Sequence, residues 1–239
     1  MRSLWRTSRA VLDRSTLRDI ALVCLADAIV GASFGAISVS GGLHPWVPIV
    51  MSVLVFAGGA QFAAVGVVLA GGSPVAAVLA GLILNARHLP FGFAVADVLS
   101  GRWWVRLLGS QVMIDESVAF ALGQRDRTRR KAAFFTCGVL LFTSWNAAVV
   151  LGALAGNAIG NTAAFGLDAA FPTVLLALVL PTVRAERGAL RAALTGAVIA
   201  VALTPVLPAG LPVLVALVGL VVAGKPARTE QTETEELPA

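Results

Sequence analysis

An all-α bundle of membrane-spanning helices is the fold class this sequence predicts, and three observations predict it. Hydrophobic residues make up 58% of the 239 and charged residues only 13%, against roughly a quarter charged in a soluble domain. Apolar runs follow one another with little polar sequence between them, so no polar shell is available to cover a soluble fold. The cations gather in the short joins between those runs.

A hydrocarbon core about 30 Å thick takes roughly 20 residues of helix. Runs near that length cover residues 19 to 40, 46 to 69, 75 to 96, 104 to 122, 132 to 155, 168 to 183, 189 to 206 and 210 to 224, giving seven or eight spans. They are apolar on every face and too long for the alternating strands of an outer-membrane barrel. The fourth stands apart, since it is short and carries Asp115 and Glu116; a span, a re-entrant segment and an interfacial helix are all open to it. The resulting organisation is a basic cytoplasmic segment over 1–18, one transmembrane domain over 19–224 and an acidic, disordered tail over 225–239.

Lys and Arg are retained on the cytoplasmic side during insertion. Arg2, Arg6, Arg9, Arg14 and Arg18 precede the first run, and Arg125, Arg127, Arg129, Arg130 and Lys131 precede the fifth. Arg184, Arg187 and Arg191 follow the sixth, and Lys225 and Arg228 the eighth. Eight spans put all four clusters, and both termini, inside a bacterial inner membrane. Arg102 and Arg106 dissent, falling in an external connection under this count. The first run is longer than the apolar core of a signal peptide and contains Asp27, so it reads as a retained helix.

Composition excludes several chemistries. The cations are spread over separate loops and form no nucleic-acid stripe, despite a pI near 10.5. Trp46, Trp103 and Trp104 sit at segment ends as headgroup anchors. Cys24 and Cys137 read as small buried hydrophobes. No residues have metal-ligand spacing, and no glycine-rich stretch has the setting of a phosphate loop, so neither metal nor nucleotide cofactor is expected.

The informative residues are polar groups at membrane depth. In NARHLPFG, residues 85 to 92, Asn85, Arg87 and His88 interrupt the third run, and Pro90 with Gly92 allows a helix break whose freed backbone groups can bind a zwitterion. Arg87 can meet a substrate carboxylate, or pair with Asp115 or Glu116 of another helix. His88 can carry a proton near neutral pH. In FAGGAQF, residues 56 to 62, the glycines suit close helix packing and Gln61 suits a cavity wall. In MIDESVAF, Asp115 and Glu116 point about 100° apart, so one can pair while the other titrates. Asp27, Trp145, Asn146 and Asp168 complete the set, with Asp168 read as a helix cap.

FAGGAQF, NARHLPFG, MIDESVAF and GLDAAFPTVLLALVLP, in this order, resemble the large subunit of the AzlC-type branched-chain amino acid permeases, over about residues 19 to 224. The resemblance implies export of branched-chain and similar apolar amino acids across the bacterial cytoplasmic membrane. It also implies a small AzlD-type membrane partner and drive from the proton-motive force. The family's polar motif residues fall on Gln61, Asn85, Arg87, His88, Asp115 and Glu116. Family members carry a Pro-Phe-Gly stretch in the first helix, where this chain reads AIVGASFG and lacks the proline.

Two rival classes stay open on the residues. An intramembrane hydrolase would use Ser33 with His44 or His88 as its base. A channel or scaffold would use its polar residues to hold helices together. An echo between DAIVGASFGAISVSGG and AAVVLGALAGNAIGN suggests a repeat of segments one to four in five to eight.

Overall fold

The computed structural model describes residues 11–158, 176, 179–180, 183–207 and 211–222. Residues 1–10, the 159–167 part of the connection before the sixth run, Asp168 and most of that run, and the tail beyond 222 lie outside the described residues. The chain divides into two compact units, Met1–Leu176 and Ala177–Ala239. Every regular element among the described residues is helical, and three helices are long and apolar enough to cross a membrane: Arg14–Ser40, Pro74–Ala94 and Arg127–Gly156.

The first unit runs α1 (Arg14–Ser40), α2 (Trp46–Leu54), α3 (Gly58–Leu69), α4 (Pro74–Asn85), α5 (His88–Ala94), α6 (Trp103–Gln111), α7 (Asp115–Leu122) and α8 (Arg127–Ala158). Asp13 caps α1: Ser15 Oγ and Thr16 Oγ1 donate to its carboxylate and hold it down from 3.8 to about 2. A folded value below the ordinary one means that the cap is whole above about pH 4 and is lost as pH falls through about 2. An NMR titration of this carboxyl is expected to show a midpoint of about 2, and a midpoint of 3.8 would show no cap.

The expected run 46 to 69 is a hairpin, and so is 104 to 122. Leu69, at the end of α3, returns to the end of α1, where a Cβ on Gly41 would lie 2.6 Å from its methyl group. The α2–α3 pair therefore leaves and re-enters one end of the unit. At the opposite end, Arg130 pairs with Asp97 at 3.3 Å, and Arg127 Nη2 donates to the Asp97 carbonyl at 3.1 Å. There Gly123 and Gln124, after α7, share a cavity of about 310 Å³ with Thr16 and Asp19 of α1. The α6–α7 pair thus also returns to the end it started from. Arg102 and Arg106 accordingly lie at the same end of this unit as Arg14, Arg18 and the 125–131 cluster.

The two hairpins share one plan. Each opens on a tryptophan, runs nine residues, passes three linking residues and starts a second helix, and the boundaries are displaced by 57 residues throughout (46 to 103, 54 to 111, 58 to 115). Their tips meet where Gln111 Nε2 donates to the Val53 carbonyl at 2.8 Å. They meet at the middle third of α8: Phe56 packs edge-on to Phe142 with centroids 5.2 Å apart, and a Cβ on Gly138 would lie 2.6 Å from the Val112 carbonyl oxygen. Entering from opposite ends, the hairpins form an inverted pair, a repeat different from the one the sequence echo suggests. The echoing stretches instead pack on each other, since α1 and α8 cross in parallel through Gly35 and Gly152.

Outward faces stay apolar, as lipid requires: Leu25, Ile29, Leu82, Leu151 and Leu154 are all exposed. In the second unit, α9 (Arg187–Leu203) packs against a broken helix of α10 (Leu211–Val215), a 3₁₀ turn (Ala216–Val218) and α11 (Gly219–Val222). Gly219 and Gly196 make that approach, with Cβ positions 2.7 Å from the Ala192 and 2.9 Å from the Ala216 carbonyl oxygen.

Candidate functional site

Three helix breaks bring backbone and polar side chains to mid-depth, and each has a local cause. Between α2 and α3, residues 55–57 leave the helix in a tight turn, with the Ala57 N–H donating to the Val55 carbonyl at 2.8 Å, and Gly58-Gly59 begins α3 with two poor helix formers. Gln61, fully buried, donates from Nε2 to the Val55 (2.7 Å) and Met51 (3.3 Å) carbonyls, which also accept the Ala57 and Val55 backbone N–H groups, each at 2.8 Å. The amide thereby ties the first turn of α3 back to the end of α2. Its Oε1 stays buried without a partner.

Between α4 and α5 the cause is Pro90, which has no N–H for the Ala86 carbonyl and whose ring crowds it. Ala86 and Arg87 form a tight turn, with Leu89 N–H donating to Ala86 O at 3.1 Å. His88 Nδ1–H donates to the Asn85 carbonyl at 3.0 Å, which fixes the tautomer. Asn85 Oδ1 and Arg87 Nε are buried and unpartnered.

Between α6 and α7 the buried Ser117 makes the cap. Its hydroxyl accepts from the Ile114 N–H at 3.0 Å and faces the Val112 and Ile114 carbonyls at 3.0 Å each, the arm of a capping box that reaches from the third helical residue back to the N-cap. The cap sets Asp115 and Glu116 in the first turn of α7, where the helix dipole favours carboxylates.

Arg87 joins these breaks. Its Nη1 lies 2.7 Å from Asp115 Oδ2, and its Nη2 lies 3.8 Å from the position a Cβ on Gly59 would take. One guanidinium therefore touches the first turns of both re-entrant half-helices. The pair is open, with side chains 38% and 41% exposed. Glu116 does not contact Arg87, but it lies within range of its charge and of Asp27 on α1. Asp27 also lies within range of Asp115, so the carboxylates of α1 and α7 feel one another's charge. A second cavity, of about 300 Å³, lies away from this cluster, between Gly92, Ala96, Ser100 and Arg106.

Of the sequence-predicted residues, Arg87 and Asp115 are in contact, Glu116 is beside them, and Asn85 and His88 flank the break that carries Arg87. The structure places Gln61 in the wall of a hairpin break. Two contributors, Trp145 and Asp27, were singled out at membrane depth but given no site role. Trp145 of α8 lays its ring on Gly58, with Cη2 2.8 Å from the Cβ position, and on Gly31, and stacks on Phe34. Asp27 was visible as a lone charge in the first run, but nothing in sequence ties it to α7. Ser33, by contrast, donates to the Ile29 carbonyl at 3.0 Å, while His44 sits exposed in the connection after α1, so no Ser33–histidine pair forms among the described residues.

Half-helices whose first turns converge on a charged pair are an arrangement that recurs in membrane transport proteins. The chain belongs to the AzlC family: the family model described as AzlC protein matches residues 22–159, which include α1 to α8 almost entirely and every residue of the site. An uncharacterized membrane protein of Helicobacter pylori is 24% identical over 145 residues, 60% of this chain and 62% of that protein. The branched-chain amino acid transport protein AzlC of Bacillus subtilis is 29% identical over 129 residues, 53% of this chain and 51% of that protein. The matches span about half to three fifths of the length of these relatives. No solved structure matches the chain significantly.

Proposed function

We propose that this protein is the carrier subunit of a secondary transporter that exports branched-chain or similar small apolar amino acids, driven by the proton-motive force. The observation that carries the reading is Arg87 in contact with the first turns of two inverted half-helices. Such a centre offers a zwitterion both donors and acceptors at the bilayer midplane. The name of the Bacillus relative supports the substrate class. Glu116, Asp27 and His88 are the groups we assign to proton movement. A small AzlD-type subunit is the partner we assign. The end that carries Arg14, Arg18, Arg102, Arg106 and the 125–131 cluster is cytoplasmic on this reading.

The test is leucine flux in proteoliposomes holding the full-length chain with its small partner. Saturable flux that speeds several-fold under an imposed proton gradient, and falls back when an ionophore collapses it, is the expected result. Flux equal to that of empty vesicles would leave a scaffold. Flux that does not saturate would make it a channel.

A further inference from the structure

Carboxylates stand at one end of the seam between α1 and α7, and a cavity stands at the other. Glu116 lies within range of the charge of Asp27. The cavity, of about 310 Å³, is lined by Thr16 and Asp19 of α1, by Ala119 and Phe120 of α7, and by Gly123 and Gln124 just after it. Eight residues lead from Asp19 to Asp27, and eight from Glu116 to Gln124. Each stretch covers about 12 Å of helix. The two elements therefore run antiparallel in one register, with the carboxylates together at mid-depth and Asp19 and Gln124 together at the basic end.

An apolar layer separates the two ends of the seam. Val23 and Phe120 each lie four residues from a carboxylate, on the same face of its helix. Both are partly buried and pack against the core cluster that includes Ile20, Cys24 and Ile114. Phe120 also lines the cavity, so its ring stands between that space and Glu116. Asp27 and Glu116 are themselves only half-buried, and neither is in an ion pair among the described residues. An ionisable group at membrane depth faces a partner or water, and the cavity beyond Phe120 has room for several waters.

Resting on the proton-coupled reading above, we infer that the α1–α7 seam is the path by which water and protons reach Asp27 and Glu116 from the basic end, and that Phe120 with Val23 is its closure. Phe120 shares its eight-residue helix with Asp115, so the ion pair to Arg87 also fixes where the ring stands. The closure keeps the carboxylates from leaking protons to the basic end between transport steps.

Labelling by a membrane-impermeant methanethiosulfonate reads the path. The full-length chain carries Glu116→Cys together with Cys24→Ala and Cys137→Ala, in sealed membrane vesicles of each orientation. Asp126→Cys, at an exposed position in the 125–131 cluster, marks the vesicles whose outer face is the basic end. Glu116→Cys is expected to label slowly, and from that end. Adding Phe120→Ala is expected to raise the rate at least about tenfold, whereas Phe93→Ala, which removes the same ring from an exposed site, leaves it unchanged. Phe120→Leu is expected to fall between the two, and it decides if Phe120→Ala does not purify as a monodisperse protein. Equal rates with and without the change at Phe120, or labelling from the opposite end alone, would overturn the path. A wild-type chain whose leucine flux ignores an imposed proton gradient overturns the proton-coupled reading instead, and the labelling rates still decide whether the seam admits water.

Discussion

Alanine at position 87 is expected to lower leucine flux at least about 100-fold, about 2.7 kcal/mol of lost stabilisation, while the protein remains folded and inserted. The Arg87–Asp115 pair is more than a third open on both sides, and ion pairs of that kind contribute on the order of 1 kcal/mol to stability. Its loss is too small to unfold two crossing helices. The loss at the site is larger, because the same guanidinium faces Asp115 and the α3 start. Removing it leaves Asp115 without its cation and withdraws charge-assisted donors from an incoming carboxylate. Lysine at 87 is expected to recover only part of the flux, since an ammonium cannot reach both half-helices with a planar fork. The double variant Arg87→Ala/Asp115→Ala separates this role from a purely structural one. A pair that merely ties α5 to α7 would be dispensable once both charges are gone, and flux would return. Binding predicts that it does not. Flux is read in proteoliposomes, with fold checked by monodisperse gel filtration of the same preparation.

Much of this architecture is written in the apolar runs. Runs 19 to 40 and 132 to 155 read as single helices and are single helices, because nothing interrupts them but small residues. Run 46 to 69 is as long and as apolar, yet it turns back on itself. Hydropathy counts apolar residues and is blind to direction, so a hairpin with two apolar arms scores as a span. The signs of a turn were present: Gly58-Gly59 at mid-run, and Trp46 at its entry matched by Trp103 at the entry of the other hairpin. Arg102 and Arg106 were a second sign, since they share an end with the other arginines only if run 46 to 69 turns back. The third run announced its own break through Pro90. The partner of Arg87 was narrowed to Asp115 or Glu116 by sequence, and only the Ser117 cap, which fixes the rotation of α7, selects Asp115. Trp145 was legible as a residue at membrane depth, but its contact with Gly58, 87 positions earlier in the chain (145 against 58), was not.

Gly152→Ala, or Gly35→Ala, is expected to destabilise the first unit by about 3 kcal/mol, a fall of about 10 °C in thermal midpoint for a chain of this size. Each glycine lies against the backbone of the opposite helix: a Cβ on Gly35 would collide with the Val149 carbonyl oxygen, and one on Gly152 with the Ala32 carbonyl oxygen. The contact is reciprocal, each glycine meeting the carbonyl three residues before the other, so neither helix can yield without moving the whole of its partner. In lipid there is no hydrophobic gain to re-close the gap, and helix association rests on close van der Waals packing through small residues. Gly92→Ala makes the comparison, since a Cβ there meets nothing within 4 Å and the residue lies in α5. That change is expected to be neutral or to stabilise by up to about 1 kcal/mol through helix propensity. The same added methyl group thus has opposite signs at two helical glycines, and thermal unfolding of the purified variants reads the difference. Equal midpoints for Gly152→Ala and Gly92→Ala would show that α1 and α8 do not cross at these residues.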